Sequence, residues 1–326
     1  MSLLLCTAAL SGCSANQPKS SLSFQAMDTF MKLDVYGGSA DEIKDEILRL
    51  DKLLSVTDPQ SDIYTLNQSK SAEVDDVTAE LARRSLELCR ATDGALDVTV
   101  LPVVEEWGFI SGEYKIPSAQ TLNSLLGSID YTKVSVTGNT ITLPSDAKID
   151  FGATAKGFAA DRAVELLKSS GATGAILNLG GTVAAYGQKP GSDGWRVGIA
   201  DPENTAAYIG YITCRDKIIA TSGGYERCFE GEDGKTYCHI IDPKTGLPAD
   251  NGLLSVTVIS DSGTLSDALS TALFVMGAEK AAEYAKSCGD FDFVMLTADG
   301  RAIASAGAAQ SFTPAQGYDI RLETVS

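Results

Sequence analysis

Histidine is nearly absent from this chain: His239 stands alone in 326 residues. A histidine-built zinc centre is excluded by that count, and the cysteines show no metal-type spacing. A Ser-His-Asp hydrolase would have to use the one imidazole, yet no Gly-x-Ser-x-Gly elbow accompanies it. Positive charge is scarce as well. Lys and Arg number 26 against 43 Asp and Glu, a formal net charge of −17, which argues against a nucleic-acid partner. The same surplus makes an anionic ligand a problem, because a bound cation or a few placed Lys and Arg must offset the repulsion. No Gly-x-Gly-x-x-Gly follows a strand and no Walker loop is present, which weakens ordinary dinucleotide and nucleotide-hydrolase folds. No repeat of fixed period is evident.

What is present begins with length: 326 residues can bury a substantial core, as one large domain of two joined lobes. Residues 1–13 stand apart. The apolar run from Leu3 to Leu10 is too short to span a bilayer, and it closes in Leu10-Ser11-Gly12-Cys13. That ending resembles the lipobox of bacterial lipoproteins, which implies cleavage, acylation of Cys13 and an extracytoplasmic protein anchored to the membrane by lipid. Several acyl chains, at about 0.8 kcal/mol per buried CH₂, anchor stably. Residues 14–23 are polar and read as a tether, leaving 24–326 as the folded domain. Beyond Cys6 and Cys13 five cysteines remain, an odd number that makes no disulfide framework. Cys228 and Cys238 flank the turn signal Glu232-Asp233-Gly234 symmetrically, either as a disulfide or as thiols on neighbouring strands.

Periodicity places the elements. Residues 24–36 read as one strand with a polar interruption, ended by Gly37-Gly38. A helix follows to about Leu54, with Ile43, Ile47, Leu50 and Leu54 on one face. Ser61 to Asn67 reads as loop and turn. Helices are expected at 78–92, within 116–130, at 155–169, 264–276 and 278–287. A hairpin is expected around Gly138-Asn139, then strands at 175–178, 183–186, 195–199, 207–213, 216–221, 224–230, 235–241 and 253–260. Two strands, 292–297 and 302–305, close the chain. The mixture of helices with many hairpins predicts an α+β fold with mixed, largely antiparallel sheets and packed helices.

Three stretches could carry chemistry. Asp150-Phe151-Gly152-Ala153-Thr154-Ala155-Lys156-Gly157 leads small residues into a helix start, where unpartnered N–H groups and the helix dipole favour anions. Lys156 adds a point charge of the kind that meets phosphate; the alternative is a plain βα turn with a surface Lys. Asp267-Ala268-Leu269-Ser270-Thr271 puts a carboxylate and a hydroxyl four apart on one helix face. Those hard oxygens suit Mg²⁺ shared with substrate phosphates; back-bonding of Thr271 within the helix is the alternative. His239, at a strand end, is either a structural imidazole or an acid/base group.

Together these stretches resemble the bacterial FAD:protein FMN transferase family, the flavin transferases also called thiamine-biosynthesis lipoproteins. The matching pieces run in the family's order: Met27-Asp28-Thr29, Ser61 to Asn67, Gly94 to Thr99 with Trp107-Gly108-Phe109, Asp150 to Gly157, Asn178-Leu179-Gly180-Gly181, Ala220 to Gly223 with Tyr225-Glu226-Arg227, His239 to Gly246, and Asp267 to Thr271. The resemblance implies an Mg²⁺-dependent enzyme that cleaves FAD, attaches FMN to a Thr or Ser of a flavoprotein subunit of an electron-transfer complex, and releases AMP. It places FAD contacts on Met27, Ala95, Leu96, Asp97, Asp150, Lys156 and Ile241. It places the metal on the Ala153 carbonyl and on Asp267 and Thr271, with Ser270 adjacent. His239 and Asp267 are the candidate catalytic groups. Asp28 departs from the family's Gly. The aromatic that some members carry before the Ser61–Asn67 piece falls near Thr57, with Tyr64 as its substitute. Two other readings fit the same binding residues: a pyrophosphatase giving free FMN and AMP, and a flavin-binding lipoprotein without turnover. Ser170-Gly171-Ala172-Thr173 itself resembles the family's acceptor motif, which raises self-flavinylation at Thr173.

Overall fold

A computed structural model describes residues 18–325. The lipobox, with Cys6 and Cys13, and the first four residues of the 14–23 segment lie outside the described residues. The rest of that segment is largely strand rather than tether. β1 (Lys19–Ala26) pairs antiparallel with β2 (Thr29–Tyr36) over its whole length. Leu22 and Phe24 alternate with polar residues and pack on the core, and one solvated face is enough to hide a strand from composition. Met27 and Asp28 make the two-residue turn, with φ of 49° and 57°. Two successive left-handed residues are the type I′ geometry that suits strand twist. The expected single strand with an interruption is therefore a hairpin.

α1 (Asp41–Leu54) buries Ile43, Ile47, Leu50 and Leu54, the face its spacing predicts. The expected loop at 61–67 is instead α2 (Asp62–Ser69). Ser61 caps it by accepting the Tyr64 N–H at 2.8 Å, and Lys70 ends it in a left-handed conformation. Only Ile63 and Leu66 give it a buried apolar face, too little signal for so short and polar a helix. β3 (Ser71–Glu73) joins the hairpin of β4 (Ser135–Thr137) and β5 (Thr140–Thr142) in a small sheet. α3 (Asp76–Ala91) and α5 (Ala119–Leu126) fall near their expected places, whereas α4 (Leu101–Glu106), with Pro102 in its first turn, has no period long enough to read.

The rest of the chain is organised by one nine-stranded sheet among the described residues. β1 and β2 are followed in spatial order by β6 (Gly174–Asn178), β7 (Thr182–Gly187), β10 (Lys217–Gly223), β13 (Leu253–Ser260), β14 (Asp292–Thr297), β15 (Ala302–Ser305) and β17 (Leu322–Val325). Every neighbouring pair is antiparallel except β15 with β17. A second sheet orders β16 (Phe312–Pro314), β9 (Asn204–Cys214) and β8 (Trp195–Asp201), and β11 (Cys228–Glu230) pairs with β12 (Thr236–Cys238) alone. Cys228 stands opposite Cys238 there, and both are free thiols. α9 (Ala306–Ser311), β16 and β17 lie beyond the two strands expected to close the chain. The fold is α+β with largely antiparallel sheets, as its pattern predicts.

The middle of the nine-stranded sheet is buried on both faces. Ile218 and Val258 pack with the helices, while Ile219 and Ile259, one residue on, pack with Trp195 and Ile212 of the second sheet. Period-two alternation of this kind sorts side chains between two layers. On the helical side α7 (Gly263–Met276) lies between the sheet and α6 (Ala155–Ser170), with α8 (Ala278–Ser287) beside it. α7 is buried nearly all round, Asp267 included, as a helix enclosed by other elements must be. Glycine permits the approach of α6: a Cβ on Gly157 would lie 2.0 Å from the Gly263 carbonyl oxygen and 2.7 Å from the Asp267 Cβ. Overpacking of that kind costs about 1–3 kcal/mol, partly offset by the better helix propensity of Ala. Gly157→Ala should therefore lower stability by about 2 kcal/mol in urea unfolding, with an unchanged slope. A wild-type midpoint would mean the two helices do not touch there.

Candidate active site

A cavity of about 430 Å³ opens where the start of α6, the middle of α7, the Met27-Asp28 turn, the 95–100 loop and the strand end at 239–243 converge. Met27, Ala95, Leu96, Asp97, Asp150, Ala153, Lys156, His239, Ile241, Asp267 and Thr271 all line it. Residues read separately along the chain are thus brought to one place. Ser270 is not among the lining residues. Its hydroxyl donates to the Asp267 carbonyl at 2.8 Å and pairs with Ser222 Oγ at 2.8 Å, so it steadies Ser222 and not a ligand.

Backbone hydrogen bonds hold the lining in place. The Met27 N–H donates to Asp51 Oδ1 at 2.9 Å, which ties the turn to α1. Asp97 is spent on its own loop: Oδ1 accepts from the Thr99 N–H and hydroxyl, and Oδ2 from the Tyr131 N–H. Burial raises its pKa, and those donors pull it back. Asn67 pairs with the N–H and carbonyl of Ile149 through both ends of its amide, fixing the chain one residue before Asp150. The Asp150 N–H donates to the Val98 carbonyl, and its Oδ1 accepts from the Gly152 N–H. Burial raises the Asp150 pKa, against the pull of the Gly152 N–H, Arg227 and Lys156.

The start of α6 is open to an anion. Thr154 makes no side-chain cap, and no acidic residue lies in the first turn. Lys156 projects there, its Nζ 3.4 Å from the Gly152 carbonyl oxygen. The Gly157 N–H is already used, donating to Asp267 Oδ2 at 2.9 Å. Asp267 Oδ1 takes no protein hydrogen bond among the described residues, and it shares the cavity with Thr271, whose hydroxyl lies 3.2 Å from Ser222 Oγ. No group of three or more His, Cys, Asp or Glu gathers to hold a metal among the described residues. Ala153, Asp267 and Thr271 all line the cavity, and a carboxylate, a hydroxyl and a backbone carbonyl are the kinds of oxygen donor that a partly hydrated Mg²⁺ accepts.

His239 lines the cavity. The Glu226 carbonyl can only accept, so the contact of 3.1 Å to His239 Nδ1 places the hydrogen on Nδ1 and leaves Nε2 as an acceptor. Burial, with Arg227 and Lys156 nearby, pushes its pKa down to about 4. Glu226 and Arg227 are cavity charges that residue-by-residue reading did not single out. Both line the cavity, and Arg227 is fixed by donating to the Phe109 carbonyl at 3.0 Å. Burial raises the Glu226 pKa, countered by Lys156 and Arg227. Their signal was the Tyr225-Glu226-Arg227 piece itself, but spacing cannot say which cations lie beside it. Neither Thr57 nor Tyr64 lines the cavity; Phe109 does, with its ring edge-on to His239. Thr173 sits at the far end of α6, about 24 Å along its axis from the open start, and donates its N–H and hydroxyl to the Tyr36 carbonyl. Within one molecule the length of α6 thus separates Thr173 from this cavity.

The ApbE family model matches residues 27–295. The FAD:protein FMN transferase of Escherichia coli is 31% identical, over 86% of this chain and 84% of that protein. The FAD:protein FMN transferase of Treponema pallidum is 34% identical, over 78% of this chain and 76% of that one. The crystal structure of the ApbE protein from Thermotoga maritima superposes with a TM-score of 0.81 at 31% identity, covering 87% of this chain and 96% of that one.

The depressed imidazole makes a direct prediction. With one histidine in the chain, its ring-proton NMR signals are unambiguous, and they should titrate with a midpoint well below 6.5. The folded value lies below the ordinary one, so the unfolded chain takes up that proton first as pH falls. Stability should decline as pH drops from about 6.5 towards 4, and His239→Gln should flatten that part of the profile. A midpoint at or above 6.5 would contradict the burial described here.

Proposed function

The chain belongs to the ApbE family, and from that premise we propose that it is a FAD:protein FMN transferase, moving FMN from FAD to a Thr or Ser hydroxyl of a flavoprotein subunit of an electron-transfer complex. The observation that carries this reading is the cavity's charge. Asp28, Asp97, Asp150, Glu226 and Asp267 face Lys156 and Arg227, with His239 neutral. A pyrophosphate entering there meets like charge, and each contact at 4 Å costs about 4 kcal/mol at an effective dielectric of 20. Lys156, Arg227 and the open start of α6 offset part of that. Asp267, Thr271 and the Ala153 carbonyl would hold Mg²⁺, which supplies the remaining positive charge on the phosphate oxygens.

The chain's own residues do the rest. Met27 and the 95–97 loop form one wall of the flavin nucleotide's site, with Asp150 and Ile241 on others. In this reading His239 Nε2 takes the proton of the acceptor hydroxyl as its oxygen bonds to the FMN phosphorus. The P–O bond to AMP breaks in the same displacement, and Lys156 and Arg227 stabilise the charge that collects on the departing phosphate.

Incubation with FAD, Mg²⁺ and an acceptor domain, read by intact mass, tests the proposal. One FMN should be added per acceptor and AMP released, and excess chelator should stop both. AMP without an acceptor adduct would make the protein a pyrophosphatase, and intact FAD would make it a carrier. Asp267→Ala should cut transfer by about 100-fold or more while FAD affinity changes less than about threefold. Equal losses in the two would remove Asp267 from the cation's coordination.

The lipobox supports an extracytoplasmic, lipid-anchored protein. No helix among the described residues is long and apolar enough to cross a membrane, so in this reading the lipid carries the attachment. Cys13→Ser should move the protein from the membrane fraction to the soluble one, and unchanged membrane retention would overturn the lipid-anchor reading.

A further inference from the structure

α6 and α7 meet through a reciprocal pattern. Each carries Gly-x-x-x-Asp at its start: Gly157 to Asp161, and Gly263 to Asp267. The Gly157 N–H donates to Asp267 Oδ2 at 2.9 Å, and the Gly263 N–H donates to Asp161 Oδ1 at 2.5 Å. Both glycines are needed for the approach, since a Cβ on Gly263 would lie 2.2 Å from the Gly157 carbonyl oxygen. The two carboxylates differ in what else they meet. Asp161 Oδ2 also accepts from the Thr264 N–H at 3.1 Å, the Thr264 hydroxyl at 2.7 Å and Ser262 Oγ at 3.3 Å, and pairs with Arg84 at 2.7 Å. Arg84 donates to Ser262 Oγ as well. Asp267 has no cationic partner of this kind among the described residues and opens on the cavity.

We propose that Asp161 is a positioning residue for the reaction: by gripping the first turn of α7 it sets the angular and axial position of that helix, and with it the placement of the Asp267 carboxylate against Gly157 and the cavity. The inference rests on the reading of Asp267 as the cation's carboxylate. One turn separates Gly263 from Asp267, so a slip of α7 at Asp161 passes directly to the functional oxygen. Arg84 neutralises Asp161, which lets the clamp bind backbone N–H groups without adding free negative charge beside the cavity. A carboxylate held within about 0.5 Å needs such support from residues that never touch the ligand.

The test uses the full chain with Asp161→Asn, and Thr264→Val as a milder variant that keeps the helix and loses one hydrogen bond to the clamp. Two readouts are taken: amide hydrogen exchange at Gly157, and Mn²⁺ affinity by electron paramagnetic resonance in the presence of FAD. Asp161→Asn should speed exchange at Gly157 about tenfold or more while the middle of α6 stays protected, and should weaken Mn²⁺ binding about five- to twentyfold with FAD affinity within twofold. Thr264→Val should shift both in the same direction by less. Unchanged Gly157 exchange in a folded Asp161→Asn protein would overturn the proposal, as would loss of protection spread evenly through the chain. Failure of the wild-type protein to bind Mn²⁺ would strike the cation reading instead, with Gly157 exchange still deciding the role of Asp161.

Discussion

A carboxylate on one enclosed helix accepts a backbone N–H from the start of another: Asp267 Oδ2 lies 2.9 Å from Gly157 N. That contact exists because Gly157 and Gly263 let the two helix starts cross closely, and it brings the start of α6 beside the Asp267 carboxylate. α7 is held on its other side by the nine-stranded sheet, so its position is set by packing from several directions at once. α6 then has one place to begin, and its uncapped first turn, with Lys156, faces the cavity. A burial constraint in the core is thereby turned into the relative placement of a carboxylate and an anion-binding helix end.

Electrostatics follow from the same arrangement. Carboxylates outnumber cations in the cavity, and two of the carboxylates, Asp150 and Glu226, sit where crowding by protein raises their pKa while Lys156 and Arg227 draw it back. Burial, aided by the same two cations, holds the His239 pKa down. A neutral imidazole with its hydrogen committed to the Glu226 carbonyl presents one basic nitrogen. In the proposed reading a small hard cation completes this balance, with Asp267 and Thr271 as its oxygen donors.

Much of this was legible in the residues. The face of α1, the helix start after Asp150, the i,i+4 relation of Asp267 and Thr271, and the hairpin around Gly138-Asn139 each rest on local period or turn chemistry, which sequence displays directly. What was hidden depends on distant partners. α2 is a helix because Ile63 and Leu66 find the core and Asn67 finds Ile149, 82 residues away. β1 begins earlier than its composition suggests because β2 pairs with it from Lys19 onward. Ser270, set beside Thr271 only by the family resemblance, does not line the cavity, because its hydroxyl donates to the Asp267 carbonyl and meets Ser222, brought there by β10. Glu226 and Arg227 gained their meaning from Lys156 and His239, which no spacing rule connects to them.

The central claim is that Asp267, Thr271 and the Ala153 carbonyl share one cation with the phosphates of FAD. The most direct measurement is anomalous scattering from crystals grown with FAD and soaked in Mn²⁺. The account predicts one strong peak within coordination distance of Asp267 Oδ1, the Thr271 hydroxyl and a phosphate oxygen. A peak elsewhere in the cavity, or bound FAD with density at that position absent, would contradict it.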